Sequence, residues 1–264
     1  MSLSVSIKKK AKELGFDACG IAEVSSADTE ALFFDRWIAE GCHAGMKYME
    51  NYRDIRLNPA GLVEGARSVI SVALNYYPAQ KQSPDAPRIS YYAYGKDYHI
   101  VLKDKLRQLW QYITEELLPS IELAPEARAF TDSAPLLERY WAWKAGLGWI
   151  GKNCLLVTPQ YGSAVRISSL LTDAPLTCDA PITRSQCGAC HACVRYCPAH
   201  ALKNTLWRPG MPREDIVSVS ACYKKQRQIM RKSTGIDTDL CGKCFAVCTY
   251  TKQYLKQKQN IISQ

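Results

Sequence analysis

Residues 187–198 read Cys187-Gly188-Ala189-Cys190-His191-Ala192-Cys193-Val194-Arg195-Tyr196-Cys197-Pro198. This is the C-x2-C-x2-C-x3-C-P run with which bacterial-type ferredoxins ligate [4Fe–4S] clusters. A second run, Cys241-Gly242-Lys243-Cys244-Phe245-Ala246-Val247-Cys248, reads C-x2-C-x3-C and is one ligand short. Cys222, between the two runs, supplies it. A tight loop wraps three cysteines around one cubane, and the fourth, beyond a three-residue gap, reaches the other cluster. Cluster one is therefore assigned Cys187, Cys190, Cys193 and Cys248, and cluster two Cys241, Cys244, Cys222 and Cys197.

Zinc and disulfides are the alternatives. Two C-x2-C pairs can hold a tetrahedral zinc, but zinc has no use for the third cysteine or for the Cys-Pro ending. The N-terminus, MSLSVSIKKKAKELGF, carries no apolar signal segment, so export and disulfides are not expected. The second run ends Cys248-Thr249 where a ferredoxin usually has Cys-Pro. Proline donates nothing to iron, so Cys248 stays a ligand.

The 264 residues suffice for one large or two medium domains. No run approaches the roughly 18–20 apolar residues of a membrane span, so a cytoplasmic protein with no membrane partner is expected, as a monomer. Residues 1–181 hold 20 Lys/Arg against 21 Asp/Glu, net −1; residues 182–264 hold 14 against 4, net +10. The basic excess lies in the cysteine-rich half. It either offsets anionic cubanes or offers a face to a polyanion such as RNA.

Ahead of the cysteines, the pattern predicts a helix over 4–14 stopped by Gly15, and a strand over 16–23. A helix over 29–40 follows, capped by Asp28, with Leu32, Phe33, Trp37 and Ile38 inward. A short helix over 45–52, a strand over 68–77 and a loop over 78–90 come next. Four tyrosines (Tyr91, Tyr92, Tyr94, Tyr98) suit either a flat partner or surface packing. His99 opens a helix to about Leu118, with Leu102, Leu106, Leu109, Trp110 and Ile113 on one face. A strand over 127–131 leads to Asp132, placed before a helix with Pro135 in its first turn. Asp132 is either an N-cap or a catalytic carboxylate. The glycines of 146–151 let backbone approach a ligand closely but match no nucleotide fingerprint. Strands over 154–158 and 164–171 complete an alternation that argues for an α/β sheet domain. The expected division is an α/β domain over 1–175, a ferredoxin-like domain over 176–250, and a basic tail over 251–264. Cys19, Cys42, Cys154 and Cys178 are left over and read as packing residues, and the Cys42–His43 neighbours lack the geometry of a nucleophile pair.

The chain also resembles the epoxyqueuosine reductases, cobalamin-dependent iron–sulfur enzymes of queuosine biosynthesis related to reductive dehalogenases. The likeness rests on residues 45–48 and 54–56, 65–78 (GARSVISVALNYYP), 94–99 (YGKDYH), 131–138 (TDSAPLLE), 145–153 (AGLGWIGKN) and the cysteine pattern. It implies an α/β (α+β) cobalamin-binding sheet domain followed by a double-cluster domain. It further implies that electrons pass singly through two [4Fe–4S] clusters to a base-off cobalamin. The epoxide of a modified base at a tRNA wobble position is then reduced. In that reading Asp132 is the general acid rather than a cap, kept neutral by burial beside the corrin. Arg56, Tyr98, His99, Gly148, Lys152 and Asn153 are the expected cofactor contacts, with His99 a candidate cobalt ligand. The implied partners are a tRNA anticodon stem-loop and an electron donor such as a flavodoxin or ferredoxin. Full-length members of the family carry a C-terminal helical-repeat domain, and a short form lacking it after Cys248 is the expectation here. Two other readings remain open: a corrinoid iron–sulfur reductase of a small molecule, and a ferredoxin-like electron carrier.

Overall fold

In the computed structural model, which describes residues 2–78, 82–117 and 125–262, helix α1 (Leu3–Glu13) leads into strand β1 (Ala18–Glu23). Between them Gly15 takes a positive φ of 81°, which ends the helix as expected. Helix α2 (Asp28–Ala39), the short α3 (Arg53–Leu57), strand β2 (Ser68–Asn75) and helix α4 (Tyr98–Tyr112) follow. Then come β3 (Ala127–Phe130), α5 (Glu138–Lys144), the two-residue strands β4 (Trp149–Ile150) and β5 (Leu156–Val157), and β6 (Val165–Thr172).

The four long strands form one sheet in the order β1-β2-β6-β3, every pair antiparallel, with Ile21 opposite Ile70 and Ile70 opposite Leu170. Helices cover both faces, which is why β2 is buried at consecutive rather than alternating positions. On one face Ile70, Val72 and Leu170 pack with Ile7 and Ala11 of α1 and Leu102, Leu106 and Leu109 of α4. On the other, Val69, Ala73 and Leu171 pack with Trp141 and Ala142 of α5 and with Ile150 and Leu156 of the β4–β5 hairpin. The expected α/β sheet domain is present, and its sheet is antiparallel throughout.

The cysteine-rich half follows as α6 (Ala192–Arg195), α7 (Val219–Thr234), α8 (Lys243–Ala246) and α9 (Thr249–Ile262). Ser218 caps α7 through the Ala221 N–H, and Gly235 closes it in the left-handed region. A third apolar cluster joins this half to the sheet domain: Trp37 of α2 and Cys154 pack with Cys197, Ala201, Leu202, Ile216 and Val217.

Several local expectations are corrected. Asp28 lies in the first turn of α2 rather than at its cap, which is Ala27, and Leu32 is 77 % exposed. The helix expected over 45–52 is a 3-10 turn at Lys47–Glu50 followed by α3. Asp97, not His99, caps α4, and the helix continues as one π turn to Leu117; its expected end at Leu118 lies outside the described residues. Residues 79–81 of the proline-rich loop lie outside them too. Helix α5 starts only at Glu138, so Asp132 is no cap and Pro135 is in a loop. The basic tail, expected as a helix or a frayed end, is not among them: it lies in α9, with Thr251 fully buried.

Candidate active site and cluster cysteines

All twelve cysteines are free thiols. Eight of them assemble into two sets. Burial pushes the Cys193 thiol up to about 11, and the neighbours that add to the shift are Cys187, Cys248 and Cys190. Cys222 is raised to about 11 by burial, then by Cys197 and Cys241. The buried Cys244 is raised further, by burial and then chiefly by Cys222 and Cys241. Cys187, Cys190, Cys193 and Cys248 are thus neighbours, as are Cys197, Cys222, Cys241 and Cys244. Cys193 also stands among the neighbours of Cys244, so the two sets adjoin. Among the described residues no three His, Cys, Asp or Glu converge closely enough to hold a single metal ion.

The surroundings of the sulfurs come from three distant segments. Trp149 donates its indole N–H to Cys187 Sγ at 3.4 Å, and Ala201 N–H donates to Cys197 Sγ at 3.4 Å. Thr249 Oγ1 lies 3.1 Å from Cys190 Sγ, and this hydroxyl and the Ala192 N–H lower the Cys190 thiol. Thr249 thus gives the position after Cys248 a polar contact that the usual proline lacks.

The glycine-rich segment serves this junction. A Cβ on Gly148 would overlap the Val157 carbonyl, and one on Gly151 would crowd Asn153 and Val157 near Cys187. Lys152 is buried and donates to the Cys190 carbonyl and Asn204 Oδ1, both at 3.0 Å. Asn153 donates to Ser163 Oγ and accepts from the Leu155 N–H. Lys152 therefore reaches the first cysteine run, Gly148 and Asn153 brace the hairpin itself, and none of the three lines the cavity described next.

That cavity, of about 700 Å3, opens between α2, the 48–56 segment, the 132–143 segment and the 207–216 stretch. Its apolar wall includes Phe33, Trp37, Trp143 and Trp207; its polar wall includes Arg56, Asp132, Glu138, Arg139 and Arg213. Cys154 lines it as well and is a neighbour of Cys222. The cavity is therefore lined by Asp132 and by a neighbour of the second cysteine set.

Asp132 is held in a left-handed conformation, φ 54°. Its carboxylate accepts the Tyr98 O–H at 2.5 Å and Arg166 Nη1 at 3.5 Å, and its side chain is 51 % exposed. The expected burial of Asp132 is therefore not what the chain alone provides. The buried carboxyl is Glu138, which accepts the Asp132 N–H at 3.0 Å and is raised to about 8 by burial and by Asp132. Arg166 lies over the rings of Tyr98 at 3.6 Å and Tyr92 at 4.0 Å. The tyrosine cluster thus packs largely on itself and on Arg166. Arg56 is buried, bonded to the carbonyls of Asn51 and Tyr48, and faces the cavity. His99 stacks on Tyr98, with Nδ1 2.7 Å from Asp97, and does not line the cavity. His43 pairs with Glu50 rather than with Cys42.

Comparisons with known proteins now have a geometry to meet. The family described as "Epoxyqueuosine reductase QueG, DUF1730" matches residues 56–133. Epoxyqueuosine reductases of Cyclobacterium marinum and Leadbetterella byssophila are 46 % and 47 % identical over 74 % and 75 % of this chain. Over about three quarters of its length the chain is similar to epoxyqueuosine reductases. It spans 62 % and 64 % of the length of those two relatives. A crystal structure of an epoxyqueuosine reductase with an epoxyqueuosine-modified tRNA-Tyr stem-loop superposes with a TM-score of 0.74 at 28 % identity, covering 95 % of this chain and 65 % of that one. A catabolic reductive dehalogenase shares the fold, with a TM-score of 0.54 at 14 % identity over 93 % of this chain and 31 % of that one.

Sequence reading missed Glu138, Arg166 and Trp149 as parts of the site. Glu138 closes the quoted TDSAPLLE segment and Trp149 lies inside AGLGWIGKN, so both had a local signal. Arg166, inside an ordinary strand, had none.

Proposed function

We propose that this protein reduces epoxyqueuosine to queuosine at the wobble position of a tRNA, in the cytoplasm, using two [4Fe–4S] clusters and cobalamin. The observation that carries the reading is a cavity lined both by Asp132 and by Cys154, a neighbour of Cys222. Likeness to the family and the stem-loop complex of a relative support the substrate.

The residues suit both cofactors. Two sets of four thiols match the ligand demand of two cubanes. The cavity joins aromatic walls to cationic and amide-seeking groups. Arg213 Nε and Glu138 Oε1 are buried there without hydrogen-bond partners, as a macrocycle edged with amides would require. Arg56, Arg139, Arg213 and the tryptophans would hold cobalamin, which supplies a low-potential metal centre for delivering electrons to an epoxide carbon. The chain does the rest. Asp132, its Oδ2 held by Tyr98 and Arg166, presents a proton at Oδ1 to the departing oxygen, and the aromatic walls exclude water. Trp149, Thr249 and the Ala201 N–H set the polarity at the sulfurs.

An external donor such as a flavodoxin or ferredoxin supplies the electrons. The basic half, with Lys224, Lys225 and Lys232 on α7, grips the anticodon stem-loop. Such a grip weakens steeply with salt.

The test is anaerobic. Reconstituted protein with cobalamin and a chemical reductant is given epoxyqueuosine-containing tRNA, and the nucleosides are read by mass spectrometry. Loss of one oxygen, abolished in Asp132→Asn and without cobalamin, is the expected result. Cobalamin binding with an unchanged nucleoside would overturn the substrate assignment.

A further inference from the structure

Removing an epoxide oxygen as water consumes two electrons and two protons. The electrons come from the external donor; the protons must come through the cavity wall. Asp132 carries one proton at most. The second proton has to reach the departing oxygen from another group, through the carboxyl that Tyr98 and Arg166 hold in place. We propose that Glu138 is the proton reserve of this site, a positioning residue that holds the Asp132 loop through its N–H and passes to Asp132 the second proton the reaction needs. This rests on the function proposed above.

The geometry has three parts. Glu138 Oε2 accepts the Asp132 N–H at 3.0 Å, which ties the left-handed residue to the start of α5. Glu138 Oε1 is buried and has no partner. A buried, unpaired carboxylate oxygen is costly, and protonation removes the charge. Both residues line the same cavity, side by side. In agreement, burial first and the Asp132 charge second raise Glu138 to about 8. The groups facing it are Asp132 from its own loop and Arg166 from β6, the latter working against the shift. Tyr98 of α4 stands behind Asp132, and Glu30, Arg56, Arg139 and Arg213 complete the charged cavity wall.

The proton balance is simple. Neutral Asp132 protonates the departing epoxide oxygen and becomes a carboxylate. Neutral Glu138 then returns a proton to Asp132, which delivers it to the hydroxyl leaving as water. Glu138, now charged, reloads from solvent. No bond other than these O–H bonds forms or breaks on the two residues.

Two measurements test this. The first is an infrared titration of the reconstituted, substrate-free protein, reading the carbonyl band of a protonated carboxyl. The band is expected to disappear as pH rises through about 8 and to be missing in Glu138→Gln. The second is the pH profile of turnover on the modified stem-loop. Glu138→Gln keeps an acceptor for the Asp132 N–H but cannot pass a proton; turnover should fall about 100-fold and its alkaline limb should vanish. Glu138→Asp should recover much of the rate. A band that does not titrate there, or Glu138→Gln turning over with the wild-type profile, overturns the proposal. Wild-type protein that shows the band but leaves the RNA unchanged overturns the proposed function, while supporting the protonated Glu138.

Discussion

The indole N–H of Trp149 donates to Sγ of Cys187 at 3.4 Å, across 38 residues of sequence. Trp149 is fully buried at the start of the β4–β5 hairpin, and Cys187 opens the first cysteine run. One contact thus couples the sheet domain to the first proposed cluster. An N–H donor favours the more negative, reduced state of the iron–sulfur group. Trp149→Phe keeps the aromatic bulk and removes the donor. If the bond differs by about 1 kcal/mol between oxidation states, the potential should fall by roughly 40 mV. A redox titration followed by electron paramagnetic resonance checks this.

Cys222 stands apart from both cysteine runs, so its loss leaves the other seven in place. Cys222→Ala should reduce the iron content of reconstituted protein from about eight to about four per chain, if both clusters are of the four-iron type. A variant that retains all its iron would remove Cys222 from the ligand set.

Tyr98 and Asp132 share a 2.5 Å hydrogen bond, and burial followed by that bond pushes the Tyr98 phenol well up. Tyr98→Phe deletes that bond, worth about 0.5–1.5 kcal/mol. Asp132 then loses its fixed direction, and single-turnover reduction should slow by up to about 10-fold. The visible spectrum of the clusters should not change.

Gly148 is required by packing. An added Cβ would overlap backbone atoms of Val157 and Thr158, which cannot swing aside. Gly148→Ala should cost about 1–3 kcal/mol by overpacking and lower the melting midpoint by about 3–10 °C.

Glu138 also links stability to pH. The folded chain keeps its proton up to about 8, while the unfolded chain releases it in the ordinary glutamate range. Between those limits the native state binds more protons, so stability falls as pH rises. Denaturant midpoints at the two ends of the window should converge in Glu138→Gln.

Spacing alone supplied the two proposed ligand sets, because a cubane needs four thiolates and a short loop can offer only three to one cluster. The long strands and α4 were legible from local pattern: β2 carries Val69, Ile70, Val72, Ala73 and Leu74 among its eight residues, and Leu102, Leu106 and Leu109 keep the helical period. The tertiary structure decided what pattern does not encode. Asp132 reads as a cap because Pro135 looks like a first-turn residue, yet α5 waits until Glu138 and leaves Asp132 free at the cavity. Lys152 and Asn153 sit beside three glycines, but only the docking of the hairpin on the cysteines shows that Lys152 reaches the first cysteine run while Asn153 braces the hairpin. Arg166 reaches Asp132 because antiparallel pairing of β3 with β6 brings residues 34 positions apart together. Such contacts depend on how elements stack, and stacking is set by shape and burial over the whole chain rather than by any local run of residues.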